Sequence, residues 1–198
     1  MMALTSFLYF RGSNPQPCCM KIYKPVVLFA ALLCCISWCF SQSKEEKILA
    51  IRQVFQNINH DSTLKRLKLD GEDFLDFSPD NGAELTGYYK GDTLCKMIVE
   101  IGPSYGMCRY EHYYSYGQLV FIYEKQDVFP ADSSGDGLNF NKLVLNFEGR
   151  YYFDKGRLID IKTKGKKRFQ EKIDTAYITG LVADSKSYIK SLKTHRKK

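Results

Sequence analysis

Tryptophan is nearly missing from this 198-residue chain, and cysteine is missing from most of it. Trp38, the one tryptophan, and five of the seven cysteines fall within the first 41 residues, so only Cys95 and Cys108 remain beyond. Two cysteines cannot staple a disulfide scaffold, and no second ligand pair accompanies them to complete a structural metal site. The chemical signatures are missing too: there is no G-x-S-x-G elbow, no H-E-x-x-H pair and no phosphate-cradling glycine loop. The apolar run at residues 26–40 is about fifteen residues long, short of the ~20 that a membrane-spanning helix needs.

That run has another use. Met20 is followed by Lys21 and Lys24, then by the apolar stretch, then by small residues. A positive n-region, a short apolar core and a small-residue end describe a secretory signal peptide. Cleavage after Ser41 leaves Gln42 as the new terminus. Residues 1–19 are either an extended n-region or sequence upstream of a true start at Met20, the reading preferred here; an uncleaved anchor is the rival for the run itself. Loss of Arg11, Lys21 and Lys24 lowers the formal charge from +7 to +4. Residues 42–198 then form a single domain with a basic tail from about 193, located in the periplasm or outside the cell. A modest positive charge does not by itself imply nucleic acid.

What the chain has in plenty is tyrosine, fourteen in all, and a phrase repeated three times. It reads Tyr88-Tyr89-Lys90-Gly91-Asp92-Thr93-Leu94, Tyr113-Tyr114-Ser115-Tyr116-Gly117-Gln118-Leu119 and Tyr151-Tyr152-Phe153-Asp154-Lys155-Gly156-Arg157-Leu158. Aromatic and β-branched residues around a short glycine turn predict β-hairpins. Three hairpins give six strands joined by short turns, an antiparallel meander. Ahead of it, Ser43 caps a helix whose Ile48, Ile51, Val54, Phe55 and Ile58 share one face. Behind it, Phe169, Ile173, Tyr177, Leu181, Tyr188 and Leu192 share a row on a second helix. The residues 63–80 between helix and sheet stay open: Leu67-Lys68-Leu69 suits a short strand or a longer helix. The expected fold is α+β, with a six-stranded antiparallel β-meander and both helices on one face. The other face is then free to meet solvent or a partner.

Candidate site residues follow from that free face. Counting from the Tyr116-Gly117 turn, Tyr114 faces Leu119, His112 faces Phe121 and Tyr110 faces Tyr123. Tyr89, Tyr110, His112, Tyr114, Tyr116 and Tyr152 form the candidate binding surface, although cross-strand tyrosine pairs also serve simply to stabilise a sheet. Glu111-His112 is not a catalytic pair, because neighbours on a strand point apart. The segment 132–143 opens like a calcium loop but ends at Leu143 where a bidentate glutamate is needed. The acidic stretch from Asp70 to Asp80 reads as a solvated connection, and Lys162, Lys164, Lys166, Lys167 and Arg168 as a solvated edge. In a simple hairpin Cys95 falls opposite Tyr113, about five residues or ~15 Å out of register with Cys108, which disfavours a bridge.

The Tyr113-to-Leu119 and Tyr151-to-Leu158 phrases resemble the hairpin units of MORN-type repeat proteins, with irregular spacing. The order helix, hairpins, helix is similar to that of exported bacterial proteins without assigned activity. The resemblance implies architecture and transfers no catalytic residue. The expectation is an exported, non-catalytic binding or accessory protein. Its partner is an envelope or secreted protein, with a glycan as a further possibility, met through the aromatic sheet face or the 127–141 loop. No cofactor, metal, nucleic acid or lasting membrane anchor is expected. A hydrolase-like enzyme and a module assembling through a sheet edge are the alternatives.

Overall fold

The computed structural model describes residues 43–197 apart from 133, 136, 170 and 171. The expected leader, its cleavage after Ser41 and the start at Met20 lie outside the described residues. Helix α1 (Lys44–His60) opens with the expected cap: the Ser43 hydroxyl accepts from the Glu46 amide, and the Glu46 carboxylate accepts from the Ser43 amide. The sheet runs β1 (Lys65–Asp70), β2 (Ala83–Lys90), β3 (Thr93–Ile101), β4 (Gly106–Ser115), β5 (Gln118–Val128), β6 (Val144–Asp154) and β7 (Arg157–Gly165), and α2 (Thr175–Arg196) follows. Strand order is sequential and every neighbouring pair is antiparallel.

Seven strands replace the expected six. The addition is β1, the ambiguous Leu67-Lys68-Leu69 stretch, which pairs with β2 from Lys65 opposite Tyr89 to Asp70 opposite Glu84. A six-residue segment has little helix preference of its own, so a ladder partner decides its state. The second helix also starts later than its apolar row suggests. Asp174 caps it by accepting from the Tyr177 amide. It then continues through Arg196, so the expected basic tail is mostly helix. Arg196 donates to the carbonyls of Gly91 and Asp92 at 2.9 Å each and stacks over the Tyr89 ring.

Each of the three tight hairpins carries one extra residue at the same place. Tyr88 pairs with Lys96 but Tyr89 with Leu94, which leaves Cys95 as a bulge. Val120 and Ile159 are the corresponding extras in the β4–β5 and β6–β7 hairpins. This aligns Tyr88-Tyr89 and Tyr113-Tyr114 with Tyr152-Phe153, so the third copy is offset by one residue from the phrase as read in sequence. The bulge also corrects the cross-strand pairs. Tyr114 does face Leu119, but His112 faces Ile122 and Tyr110 faces Glu124. A bulge places two residues opposite one and shifts every pair beyond it, and turn counting cannot detect it. Tyr116 and Gly117, like Lys155 and Gly156, all have positive φ, as a two-residue type I′ turn requires.

The two helices pack on opposite faces of the sheet, not on one. Tyr113, Phe121 and Tyr152 lie side by side on β4, β5 and β6 under Ile48 and Ile51 of α1. Their chain neighbours Ile122, Tyr151 and Phe153 lie under Ile178 and Leu181 of α2. Leu69, Leu85, Met97, Val99 and Tyr114 continue that second core to Leu192. Ion pairs tie α1 down, Lys47 to Asp154 at 2.7 Å and Lys44 to Asp160 at 2.6 Å. A sheet with large aromatic side chains on both faces exposes too much apolar surface if only one face is covered. Cys95 and Cys108 are free thiols, as the register argument expects, although the strands meet one residue differently, with Ile101 opposite Cys108.

Glycine makes room for tyrosine on the α2 face. A Cβ at Gly149 would stand 2.5 Å from the Tyr151 hydroxyl, which donates to Glu124 at 2.7 Å. Gly149→Ala is therefore expected to lower stability by ~1–3 kcal/mol through overpacking. Urea denaturation of this variant beside Gly180→Ala, whose new Cβ meets nothing within 4 Å, checks it. An equal effect of the two substitutions would contradict the packing described.

Candidate functional site

The six candidate residues do not form one surface. Tyr89, Tyr114 and Tyr152 are buried, and His112 is 1% exposed. Tyr110 is half-buried on the α2 face, and only Tyr116, at a hairpin tip, is fully exposed. Alternation along β4 aims Tyr110, His112 and Tyr114 at α2, and the Tyr114 hydroxyl meets that of Ser185 at 2.7 Å inside the core. Neither tyrosine of the second and third pairs is free: Tyr113 and Tyr152 face α1, and Tyr114 and Tyr151 face α2.

His112 differs from the other buried polar groups. Neither ring nitrogen has a hydrogen-bond partner among the described residues. Buried polar atoms are nearly always paired, and each one left unsatisfied costs ~1–3 kcal/mol. The ring lies in the wall of a cleft of about 520 Å³ beside α2. The strands contribute Ile101, Tyr110 and His112, the helix contributes Tyr177, Gly180, Asp184 and Tyr188, and the segment after β1 contributes Phe74, Asp76 and Phe77. The Tyr188 ring stands edge-on to Phe74 at 5.6 Å and to His112 at 6.4 Å. Burial depresses the His112 pKa to about 3, so the imidazole is neutral at physiological pH, with one donor and one acceptor. At the rim, desolvation raises the Asp184 carboxyl and carries the Tyr188 phenol to about 12.

Behind the cleft lies a paired charge. Glu124 is 1% exposed and accepts from Tyr151 and Tyr177 at 2.7 Å each and from Lys167. The Lys167 ammonium also sits 4.2 Å from the Tyr177 ring centre. Lys167 thus leaves the expected solvated basic run: a carboxylate buried at this depth needs a cation and full hydrogen bonding. The Arg168 amide donates to Gln126 beside it. The α1 face holds a second polar cluster, in which Lys96 bridges Glu111 at 2.8 Å and Asn59 at 2.9 Å. Burial lowers the Lys96 pKa. For Glu111, burial acts upward, but bonds from Lys96 and Tyr113 outweigh it and hold the carboxyl low. Every member there has a partner, so that cluster is complete in itself.

Within the 127–141 loop the Asp132 side chain gathers backbone amides. Asp132 accepts from the amides of Ser134 and Gly135 at 3.0 and 2.8 Å, and Ala131 bridges Leu138. Among the described residues no three His, Cys, Asp or Glu side chains gather as a metal site, and no helix is long and apolar enough to cross a membrane. Sequence reasoning missed Phe74, Phe77 and Asp184 as site residues and took Tyr177 and Tyr188 as core. The signal was present: Tyr177, Asp184 and Tyr188 share one stripe of the helix, and a carboxylate among aromatics on an apolar row is anomalous.

Comparison with known proteins returns no match, whether to a family model, a curated protein or a solved structure.

The depressed His112 pKa fixes a pH dependence. Above pH 6.5, the ordinary value for this group, neither folded nor unfolded chain is protonated there, and the group has no effect. Between 6.5 and about 3 the unfolded chain binds a proton that the folded chain refuses. Stability therefore falls as pH falls, by about 1.4 kcal/mol per pH unit. Between pH 7 and pH 5, urea denaturation should show wild type losing about 2 kcal/mol more than His112→Phe. Equal losses would mean that the imidazole is solvated in the folded state.

Proposed function

We propose that this chain is an exported, non-catalytic binding protein that holds a small ligand in the cleft between α2, the 74–77 segment and strands β3 and β4. The observation that carries the reading is His112, buried, neutral and unpartnered in the cleft wall. A ligand with a complementary polar group removes that penalty on binding. Size agrees, since ligand pockets commonly measure ~300–1,000 Å³ with mostly aromatic and apolar lining and a few polar groups.

The hydrolase-like alternative loses its one histidine candidate. A general base needs a nucleophile or an orienting group within hydrogen-bond reach, and neither nitrogen of His112 has one. Assembly through a sheet edge is opposed by charge: β1 carries Lys65, Arg66 and Lys68, and β7 carries Lys162 and Lys164, which discourage edge pairing. The MORN-like hairpins serve here as scaffold. Export rests on the leader sequence.

A protein partner from the envelope or secreted fraction is the second reading, now at the 127–141 loop. It is favoured by one observation, the exposed strip of Phe140, Leu143, Val144 and Leu145 that follows the loop into β6.

A fragment screen by NMR, reading the His112 ring resonances, tests the cleft. Binders are expected to shift those resonances and to lose affinity in Gly180→Phe, which fills the cleft from an exposed helix position with open space beside it. Absence of any binder at millimolar concentration, or binders indifferent to Gly180→Phe, would overturn the cleft reading.

A further inference from the structure

The cleft has a sign. Its lining includes two carboxylates, Asp76 and Asp184, and no lysine or arginine. The depression next to it shares Leu75, Asp76 and Phe77 and adds Asp70 and Glu72, again without a lysine or arginine. This acidic lining stands out on a chain whose formal charge is +7. The acidic stretch that begins at Asp70, a plain solvated connection in sequence, supplies all of these carboxylates but Asp184. Two basic side chains in contact with neighbouring residues have partners of their own. Lys167, over the rings of Tyr177 and Tyr110, is held by Glu124, and His195 pairs with Asp73 at 3.2 Å.

Much of the remaining lining is aromatic. Phe74, Phe77, Tyr110, Tyr177 and Tyr188 all contribute, and Phe77 is 60% exposed at the mouth. Aromatic faces attract cations, most strongly cations that shed water easily, such as alkylated ammonium groups. An inorganic cation gains less here, because it demands several oxygen ligands in one small sphere. An anion would meet Asp76 and Asp184 with no counter-charge. His112 completes the set: its neutral ring does not repel a cation, and its unpaired nitrogens, which have almost no exposed surface, gain a hydrogen bond as the wall shifts to admit a polar group elsewhere on the same ligand.

We infer that the cleft takes a small organic ammonium ion, with its cationic head among the aromatic rings between Asp76 and Asp184 and its polar end on His112. This rests on the cleft being a binding site, as proposed above.

Choline is the probe, because a close neutral counterpart, 3,3-dimethylbutan-1-ol, has the same shape and hydroxyl without the charge. Calorimetric titration should find choline about tenfold tighter than the alcohol. The pair Asp76→Asn and Asp184→Asn should shrink that advantage, read in each variant as the ratio of the choline and alcohol affinities. Tetramethylammonium, which has no hydroxyl, should bind without regard to His112→Phe, whereas choline should weaken in that variant. Equal affinity for choline and the alcohol would overturn the charge assignment and leave the cleft reading intact. So would failure of every ammonium probe while uncharged fragments still shift the His112 resonances. Failure of ammonium probes and fragments alike would remove both proposals.

Discussion

Alternation along a strand is the constraint on which the rest of the structure depends. Neighbouring residues must point to opposite faces, so a hairpin that carries two large aromatics in succession always sends one to each side. Three such hairpins load both faces of the sheet with rings, and neither face can be left to water. Two helices of modest length resolve this, one on each face, with the long antiparallel meander between them. The Tyr-Tyr pairs are therefore the reason for a three-layer arrangement, and they are consumed by it: Tyr113 and Tyr152 serve the α1 core, Tyr114 and Tyr151 the α2 core.

The two cores are not alike. Under α1 the polar groups are mutually satisfied, with Lys96, Glu111, Tyr113 and Asn59 bonded together. Under α2 two neighbouring polar centres differ. Glu124 gathers two tyrosines and a lysine around its carboxylate, while His112, one strand away and on the same face, gathers nothing. A fold that provides full hydrogen bonding for a buried carboxylate shows that it has the means to do so for an imidazole. The difference between the neighbours is what gives the cleft its chemical interest, and it is why the site is argued from His112 and not from volume alone.

Much of the architecture was legible. The Ser43 cap, the helical row from Ile48 to Ile58, the glycine turns and the antiparallel order all follow from local rules, because each depends on residues a few positions apart. The absence of a Cys95–Cys108 bridge followed from register in the same way. The bulges were not legible, since an extra residue such as Val120 has no composition of its own; it shows only when two strands are laid together. Strand β1 stayed ambiguous for a similar reason, its state being set by the ladder it joins.

The site divides along the same line. By itself the sequence determined which residues share a strand face, so Tyr110, His112 and Tyr114 were correctly placed together. It also determined that Glu111 and His112 cannot act as a pair, because pleating is a property of the local backbone. Only the tertiary structure decided which face α2 would cover, and with it whether those side chains were a surface or a core. It alone brought the acidic stretch after β1 against Asp184 and Tyr188 of α2, more than a hundred residues later in the chain. Long-range contacts of that kind are set by the burial of two helical faces against one sheet, and no local pattern encodes which face each will take.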